Sequence, residues 1–409
     1  MRKVLLLGAA KIPWYRAGGS AMPLAVYEPK GAFSQAASYI NIVTPGTYNI
    51  TAPTAPAWAT GTGWKFNGST QYLQTGIIPG SGWSMIIFYG LHPCSGTKVL
   101  AGCTGDVSAT TRFWISPDST GIFYSGGGSS SAVYARQMDG IVAVAGQAGY
   151  RGVGKQDVTG ITAWSGAIDD EIMIGCLNNN GVRGNYTSAY IHAIAVYNST
   201  LTQPQIAAVA SAYIRKSYTK WFVFDGDSLT HGSYDNNDKN YPGRAIGKLT
   251  GAYSVINGVN FGIPAQKAAD MLANVSTKIT PQYVSGVQNT VALWAGTNDI
   301  WSTADSAATI HGYIQSYMQS CSRFERRVVM TILPTTNVSA PPDFETRRAA
   351  VNTLLRANYT NYATHLIDLD TDVRLTNPDD TTYYYGDKLH LLGTGYDIVA
   401  DLFVAQVGP

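Results

Sequence analysis

Between about residues 20 and 200 the apolar positions fall in short alternating runs cut by Gly, Pro, Ser and Asn: Trp64 to Phe66, Tyr72 to Thr75, Ser84 to Tyr89, Arg112 to Ile115, Gly121 to Tyr124, Ile141 to Ala145, Glu171 to Ile174 and Tyr190 to Tyr197. A period of two places successive side chains on opposite faces, and short runs at this spacing predict an all-β sandwich. Leu201 to Lys216 changes the period. There Ile206, Val209, Ala210 and Tyr213 share one helical face, and Thr202 with Gln205 forms a capping box, which predicts a helix closing the first half.

After Lys220 the chain alternates strand and helix. The pattern predicts strands at Trp221 to Phe224, Ser254 to Ile256, Thr290 to Trp294, Val328 to Leu333 and His365 to Leu369. Helices are predicted at Pro242 to Leu249, Ala265 to Val275, Ser306 to Ser320 and Phe344 to Tyr362, with a last one from Thr394. Repeated βα units imply a parallel sheet with helices on both faces, a three-layer α/β arrangement. The chain is therefore expected to be multidomain, with residues 1–217 and 218–409 as its two units. Thr44 to Thr62, rich in Pro, Thr and Ala, reads as an irregular surface segment.

Composition narrows the function. Only 13% of the 409 residues are charged, against a typical ~25%, while 43 Gly, 26 Tyr and 9 Trp are present. Such surfaces rely on aromatics and amides rather than ions, which suits carbohydrate-facing, extracellular or virion-associated material. The 28 Lys and Arg against 26 Asp and Glu leave a charge of +2, too weak a field to recruit nucleic acid. Arg2 and Lys3 followed by apolar Val4 to Ala10 mimic a signal peptide, yet Lys11-Ile12-Pro13-Trp14 offers no cleavage site. No run approaches the ~18 apolar residues of a membrane span. Cys94, Cys103, Cys176 and Cys321 match no zinc or redox spacing. A Cys94 to Cys103 disulfide and buried free thiols both remain open.

Three segments of the second half carry chemistry. Phe224-Asp225-Gly226-Asp227-Ser228-Leu229-Thr230 leaves the first strand where an open α/β sheet presents its ligands, so Ser228 stands where a nucleophile would. It could equally cap the next helix. The surroundings do not form the G-x-S-x-G elbow of ordinary α/β-hydrolases. Near the end, Asp387-Lys388-Leu389-His390 supplies a base and a carboxylate to orient it. His231, three residues after Ser228, is a rival base. His390 is preferred because, arriving from another strand end, it approaches the hydroxyl from the side. In Gly296-Thr297-Asn298-Asp299, Asn298 has a carboxamide to aim at a developing oxyanion, although such a turn also favours Asn structurally.

Taken together, these segments resemble the SGNH hydrolases, also called GDSL esterases and lipases, over about residues 220 to 405. The resemblance implies a flavodoxin-like three-layer fold with Ser228 as nucleophile, His390 as base and Asp387 as its partner. Oxyanion donors would come from the Ser228 backbone, the Asn298 side chain and a backbone N–H of the block Asn260-Phe261-Gly262-Ile263-Pro264-Ala265-Gln266. The family glycine of that block aligns with Ala265, which keeps the N–H but adds a methyl that crowds the site and restricts φ. Gly262 is the second candidate. No cofactor or metal is implied.

In the first half, Trp64-Lys65-Phe66-Asn67-Gly68-Ser69-Thr70-Gln71-Tyr72-Leu73 and Ile191 to Asn198 resemble early and late strands of concanavalin-like, laminin-G-like jelly-roll sandwiches. That resemblance implies a glycan-binding module, often with calcium. Asp169, Asp170 and Glu171 could hold a cation or form a solvated turn. Trp83, Trp114, Tyr124 and Trp164 could stack on sugars or fill the core.

The leading expectation is a serine esterase that removes acyl, above all acetyl, groups from a polysaccharide or other glycan ester. An esterase for small or lipid esters shares the chemistry. The alternative from another class is a phage tail or surface glycan-binding protein whose hydrolase half is vestigial or accessory, for which a homo-oligomer is expected.

Overall fold

The computed structural model describes residues 12–92, 96–105, 111–117, 121–133, 135–164, 166–234, 240–250 and 255–408. The signal-like run Val4 to Ala10, Cys94 and Ser254 lie outside them.

Residues 25–197 build two sheets packed face to face. The first runs Lys155–Val158, Ala148–Arg151, Gly140–Ala145, Ser84–Gly90, Tyr190–Tyr197, Gly63–Lys65 and Ala57–Ala59, with Ala25–Tyr27 also paired to Tyr190–Tyr197. The second runs Ser130–Val133, Ile122–Ser125, Thr111–Pro117, Ala101–Gly105, Met173–Ile174, Tyr72–Gln74 and Thr51–Thr54. These named neighbours pair antiparallel, while Leu177–Asn179 adds a parallel pairing with Ala101–Gly105. Strand Ser84–Gly90 shows why its sequence is almost continuously apolar. Met85, Ile87 and Tyr89 enter the core between the sheets, whereas Ile86 and Phe88 enter a second cluster on the outer face.

That outer face is covered by the helix Gln203–Ser217, whose capping box forms as its spacing predicts: the Thr202 N–H donates to Gln205 Oε1 at 2.9 Å. Ile206, Val209, Ala210 and Tyr213 are buried on one side, and the Tyr213 ring lies 4.0 Å from that of Phe88.

The second half holds a five-stranded sheet in the order Ile256–Asn260, Lys220–Gly226, Gln288–Trp294, Arg326–Met330 and His365–Ile367, with every pairing parallel. Trp221 and Val223 point into a layer with the helices Ala268–Lys278, Ala307–Ser320 and Phe344–Asn358. Phe222 and Phe224 point oppositely, onto the helices Tyr241–Thr250 and Gly393–Val407. The alternation explains the bulky run Trp221 to Phe224, since both faces of a parallel strand are covered.

The two halves are continuous in packing. Ile86, Phe88, Ile141 and Ala193 of the sandwich share one hydrophobic cluster with Trp221, Val259 and Phe261. A polar seam runs alongside: Arg151 donates to the Asn260 carbonyl at 2.8 Å, and Gln282 Oε1 accepts from the Val153 N–H at 2.7 Å.

Two sequence expectations need correction. Within Thr44 to Thr62 lie two strands, Thr51–Thr54 and Ala57–Ala59. Both are outermost in their sheets, where Pro53 removes no ladder bond that the sheet needs. The strand expected at Ser254 to Ile256 runs instead from Ile256 to Asn260. Its Asn257 and Asn260 look like loop residues but bond across to the sandwich: Asn257 Nδ2 reaches the Tyr89 carbonyl at 3.1 Å. Of the aromatics left open between sugar stacking and core, Tyr124 is buried in the core between the sheets with Trp83 and Trp164 half-buried against it, while Trp114 is buried on the other face of its strand beside Phe123.

Candidate active site

Strand Lys220–Gly226 delivers the nucleophile segment. A side chain at Gly226 would meet Thr230 Oγ1 at 2.2 Å and the Trp294 carbonyl at 2.5 Å, so only glycine lets the chain turn there. Asp227 caps the short helix Ser228–His231 by accepting from the Leu229 N–H at 2.9 Å. Ser228 is thereby held at the carboxyl end of the sheet.

His390 arrives from the loop before the last helix. Its Nε2 lies 2.8 Å from Ser228 Oγ, and its Nδ1 lies 2.6 Å from Asp387 Oδ2. The other oxygen of Asp387 accepts from the backbone N–H groups of Leu389 and His390, each at 3.0 Å. Burial alone would raise the Asp387 pKa, but these hydrogen bonds from His390 and Leu389 outweigh it and hold the carboxyl below its ordinary value. Asp387 is thus an anion when the imidazole needs one.

Residues beyond those the sequence pointed to fix this loop. Thr335 Oγ1 donates to the Lys388 carbonyl at 2.8 Å and Asn337 Nδ2 to the Asp387 carbonyl at 2.7 Å. Both follow strand Arg326–Met330. The strand-end rule that singled out Ser228 could have singled them out too. The Tyr234 ring, 4.6 Å from that of His390 and 4.7 Å from that of Tyr385, left no such signal.

His231 lines the same cleft as Ser228, but its ring is engaged with Ser233. It is buried, its Nδ1 is 3.1 Å from Ser233 Oγ, and burial lowers its pKa to about 3. The imidazole directed at Ser228 is that of His390.

The oxyanion candidates separate cleanly. The Gly262 N–H donates to Asn260 Oδ1 at 2.9 Å, and the Ile263 N–H donates to the Gly226 carbonyl at 3.0 Å. Gly262 is required for another reason: a Cβ there would press on the His231 amide nitrogen at 2.4 Å. Ala265 is exposed in the cleft with φ of 63°, the left-handed conformation that glycine adopts at no cost. Among the described residues, neither the Ala265 nor the Ser228 N–H meets a hydrogen-bond partner. Asn298 is the second residue of the helix Thr297–Ser302 and is half-buried. Its Nδ2 donates to Asp227 Oδ2 at 3.2 Å and to the Gln266 carbonyl at 3.1 Å. Asp227 is enclosed completely, and burial, then the nearby Asp299 charge, pushes its pKa up to about 7.

Ser228, Ala265, Asn298 and His390 line one cleft of about 450 Å³, within the usual range for small-ligand sites. Among the described residues no cluster of His, Cys, Asp or Glu has the arrangement of a metal site. Glu171 accepts from Gln74 Nε2 at 2.8 Å and from the Gly76 N–H, and Asp170 accepts from the Gly181 N–H at 3.2 Å. Both act as turn-building carboxylates.

Comparison with solved structures finds a member of the lipolytic G-D-S-L family from Veillonella parvula DSM 2008, with 17% identity and a TM-score of 0.40 over 46% of this chain and 97% of that one. It also finds Axe2, an acetylxylan esterase from Geobacillus stearothermophilus, with 18% identity and a TM-score of 0.37 over 47% and 96%. No curated protein matches the chain. Residues 224–398 match the model of the GDSL-like lipase/acylhydrolase family. This interval holds the Ser228, Ala265, Asn298, Asp387 and His390 positions, and the C-terminal half is a GDSL-like hydrolase domain for acyl-ester hydrolysis.

Proposed function

We propose that the protein is a serine esterase that removes acyl groups, above all acetyl, from a polysaccharide by way of an acyl-enzyme on Ser228. The observation that carries this reading is the 2.8 Å contact of Ser228 Oγ with His390 Nε2, in line with the 2.6 Å contact of Nδ1 with Asp387. His390 takes the hydroxyl proton as Oγ attacks the acyl carbonyl carbon. Asp387, kept ionised, stabilises the imidazolium and fixes its tautomer. The carbonyl oxygen becomes an oxyanion bound by the Ser228 and Ala265 N–H groups and by Asn298. That last donor exchanges its 3.2 Å bond to Asp227 for the new charge, a swap eased when Asp227, whose pKa burial pushes up to about 7, holds a proton and is the weaker acceptor. The intermediate expels the sugar hydroxyl, which takes the proton from His390. Water, deprotonated by His390, then attacks the acyl-enzyme, and the carboxylic acid leaves. In this reading the sandwich holds the polymer in an extracellular or virion setting.

The test is acetate release from p-nitrophenyl acetate and from acetylated xylan by wild type and Ser228→Ala. Loss of a nucleophile costs roughly 10⁴ to 10⁶ in turnover, so the variant should be inert in both assays. A wild type without activity, or a Ser228→Ala protein that keeps it, rejects the mechanism.

A further inference from the structure

Besides the triad and the oxyanion donors, the cleft is lined among the described residues by Arg136, His231, Ser233, Tyr234, Pro264 and Leu389. The Arg136 guanidinium donates to the carbonyl of Gly232, and His231 is engaged with Ser233. Tyr234 stands apart from these in its conformation. The residue is 51% exposed, so it adds little to the core, and its backbone is left-handed with φ of 64°. A bulky L-residue in that region is an outlier whose strain the surroundings must sustain, and such outliers gather at functional sites. A glycine would make the same turn without that strain.

The contacts of the ring give the reason for a tyrosine. It lies 4.6 Å from the imidazole of His390 at an interplanar angle of 43°, and 4.7 Å from the Tyr385 ring at 27°. Tyr385 belongs to the loop of the base: its N–H donates to the His390 carbonyl and its carbonyl accepts from the Lys388 N–H, each at 2.8 Å. Tyr234 instead stands just beyond the nucleophile helix Ser228–His231, where the preceding Ser233 carbonyl accepts from the Tyr396 hydroxyl at 3.2 Å. One ring therefore joins the segment that carries Ser228 to the loop that carries His390. An aromatic face attracts a cation within about 6 Å of its centre, so the same ring favours the imidazolium that exists only while His390 holds the serine proton.

We propose that Tyr234 is a positioning residue for the base: its ring sets the plane of the His390 imidazole toward Ser228 and stabilises the imidazolium formed in both half-reactions. Tyr385 backs that ring from the base loop. This assignment rests on the esterase reading for its catalytic consequence, while the placing of the imidazole is read without turnover.

The deciding variants are Tyr234→Leu, which keeps a large L-residue at the left-handed position, and Tyr234→Phe, which keeps the ring. Acylation and deacylation both pass through the imidazolium. Tyr234→Leu should therefore lower kcat about tenfold, and by the same factor for p-nitrophenyl acetate and acetylated xylan, with KM little changed. Tyr234→Phe should restore it. Proton NMR supplies a second readout. The Nδ1–H resonance of His390, hydrogen-bonded to Asp387, should stay sharp in wild type and Tyr234→Phe and broaden by exchange with water in Tyr234→Leu, at unchanged Tm. A kcat that Tyr234→Leu leaves intact overturns the proposal, as does a loss that Tyr234→Phe fails to restore, which would assign the role to the hydroxyl. So does a loss confined to KM for xylan, the mark of a wall that holds sugar. A wild type inert to every ester rejects the esterase reading, and the NMR comparison then decides alone whether the ring holds the imidazole. If Tyr234→Leu fails to fold, Tyr385→Leu carries the same tests with a smaller loss.

Discussion

The two halves of the chain solve the same burial problem differently. The parallel sheet covers one face with the helices Tyr241–Thr250 and Gly393–Val407 of its own half, and its other layer runs on into the sandwich. An antiparallel sheet commonly leaves one face to water, yet the first sheet of the sandwich buries both. Ile87 and Val142 face its partner sheet, while Phe88 and Ile141 face the closing helix and the hydrolase half. A difference in topology, sharp at Ser217, is therefore not a division in the core. The sandwich supports the nucleophile turn through Arg136, Gln137 and Arg151 rather than hanging beside it.

The most forceful way to break this comparison is to cut the chain. Residues 218–409 alone would expose Trp221, Val259 and Phe261, which the intact chain buries with sandwich residues. The expected product lacks a cooperative thermal transition and esterase activity, read by circular dichroism and p-nitrophenyl acetate turnover. A fragment that melts sharply and keeps full turnover would show that the shared cluster is dispensable.

A smaller effect separates the halves electrostatically. Each encloses one carboxyl that burial pushes up to about 7, Asp139 in the sandwich and Asp227 at the nucleophile turn. An unfolded Asp titrates near 3.9, so between these values the native state binds more protons. The stabilisation is complete below about pH 4 and is lost as pH rises through 7, by roughly 4 kcal/mol per group at most. Asp227→Asn removes one such group. Its Tm relative to wild type should therefore climb steadily from pH 4 to pH 8, with Asp139 still titrating in both proteins. A difference that does not change with pH would mean that Asp227 is ionised in the native state with no penalty.

The smallest effect concerns backbone strain. Ala265 holds φ at 63°, a left-handed conformation that costs an L-residue roughly 1 kcal/mol. Ala265→Gly should raise stability by about that amount, less the entropy that glycine loses, without abolishing activity. A lower Tm would show that the methyl contributes packing.

What the sequence disclosed follows a physical rule. Ser228 and Asn298 were legible as candidates because a parallel sheet presents its ligand-binding groups where strands end, and apolar runs mark those ends; the Asp387 to His390 pair was legible from its spacing and from the glycine turn before the last helix. Strand Ile256–Asn260 was misplaced because its Asn257 and Asn260 satisfy their amides on the sandwich, and no local pattern records a partner more than a hundred residues away. Arg136 was invisible for the same reason: it sits on a sandwich segment, and only the fold brings that segment to the cleft. Pro53 misled because a proline on an outermost strand is indistinguishable, in one sequence, from a proline in a loop.

The buried thiols give the shared core a consequence of another kind. Cys103 lies in the cluster between the two sandwich sheets and Cys321 in the cluster common to both halves. Burial raises the pKa of each, and a thiol kept protonated and enclosed reacts with an alkylating reagent only when its surroundings open. Cys103 and Cys321, two of the three buried free thiols among the described residues, thus serve as internal clocks, one in each cluster. Read peptide by peptide in a mass spectrometer, they tell whether the sandwich and the shared core open on one schedule or on two.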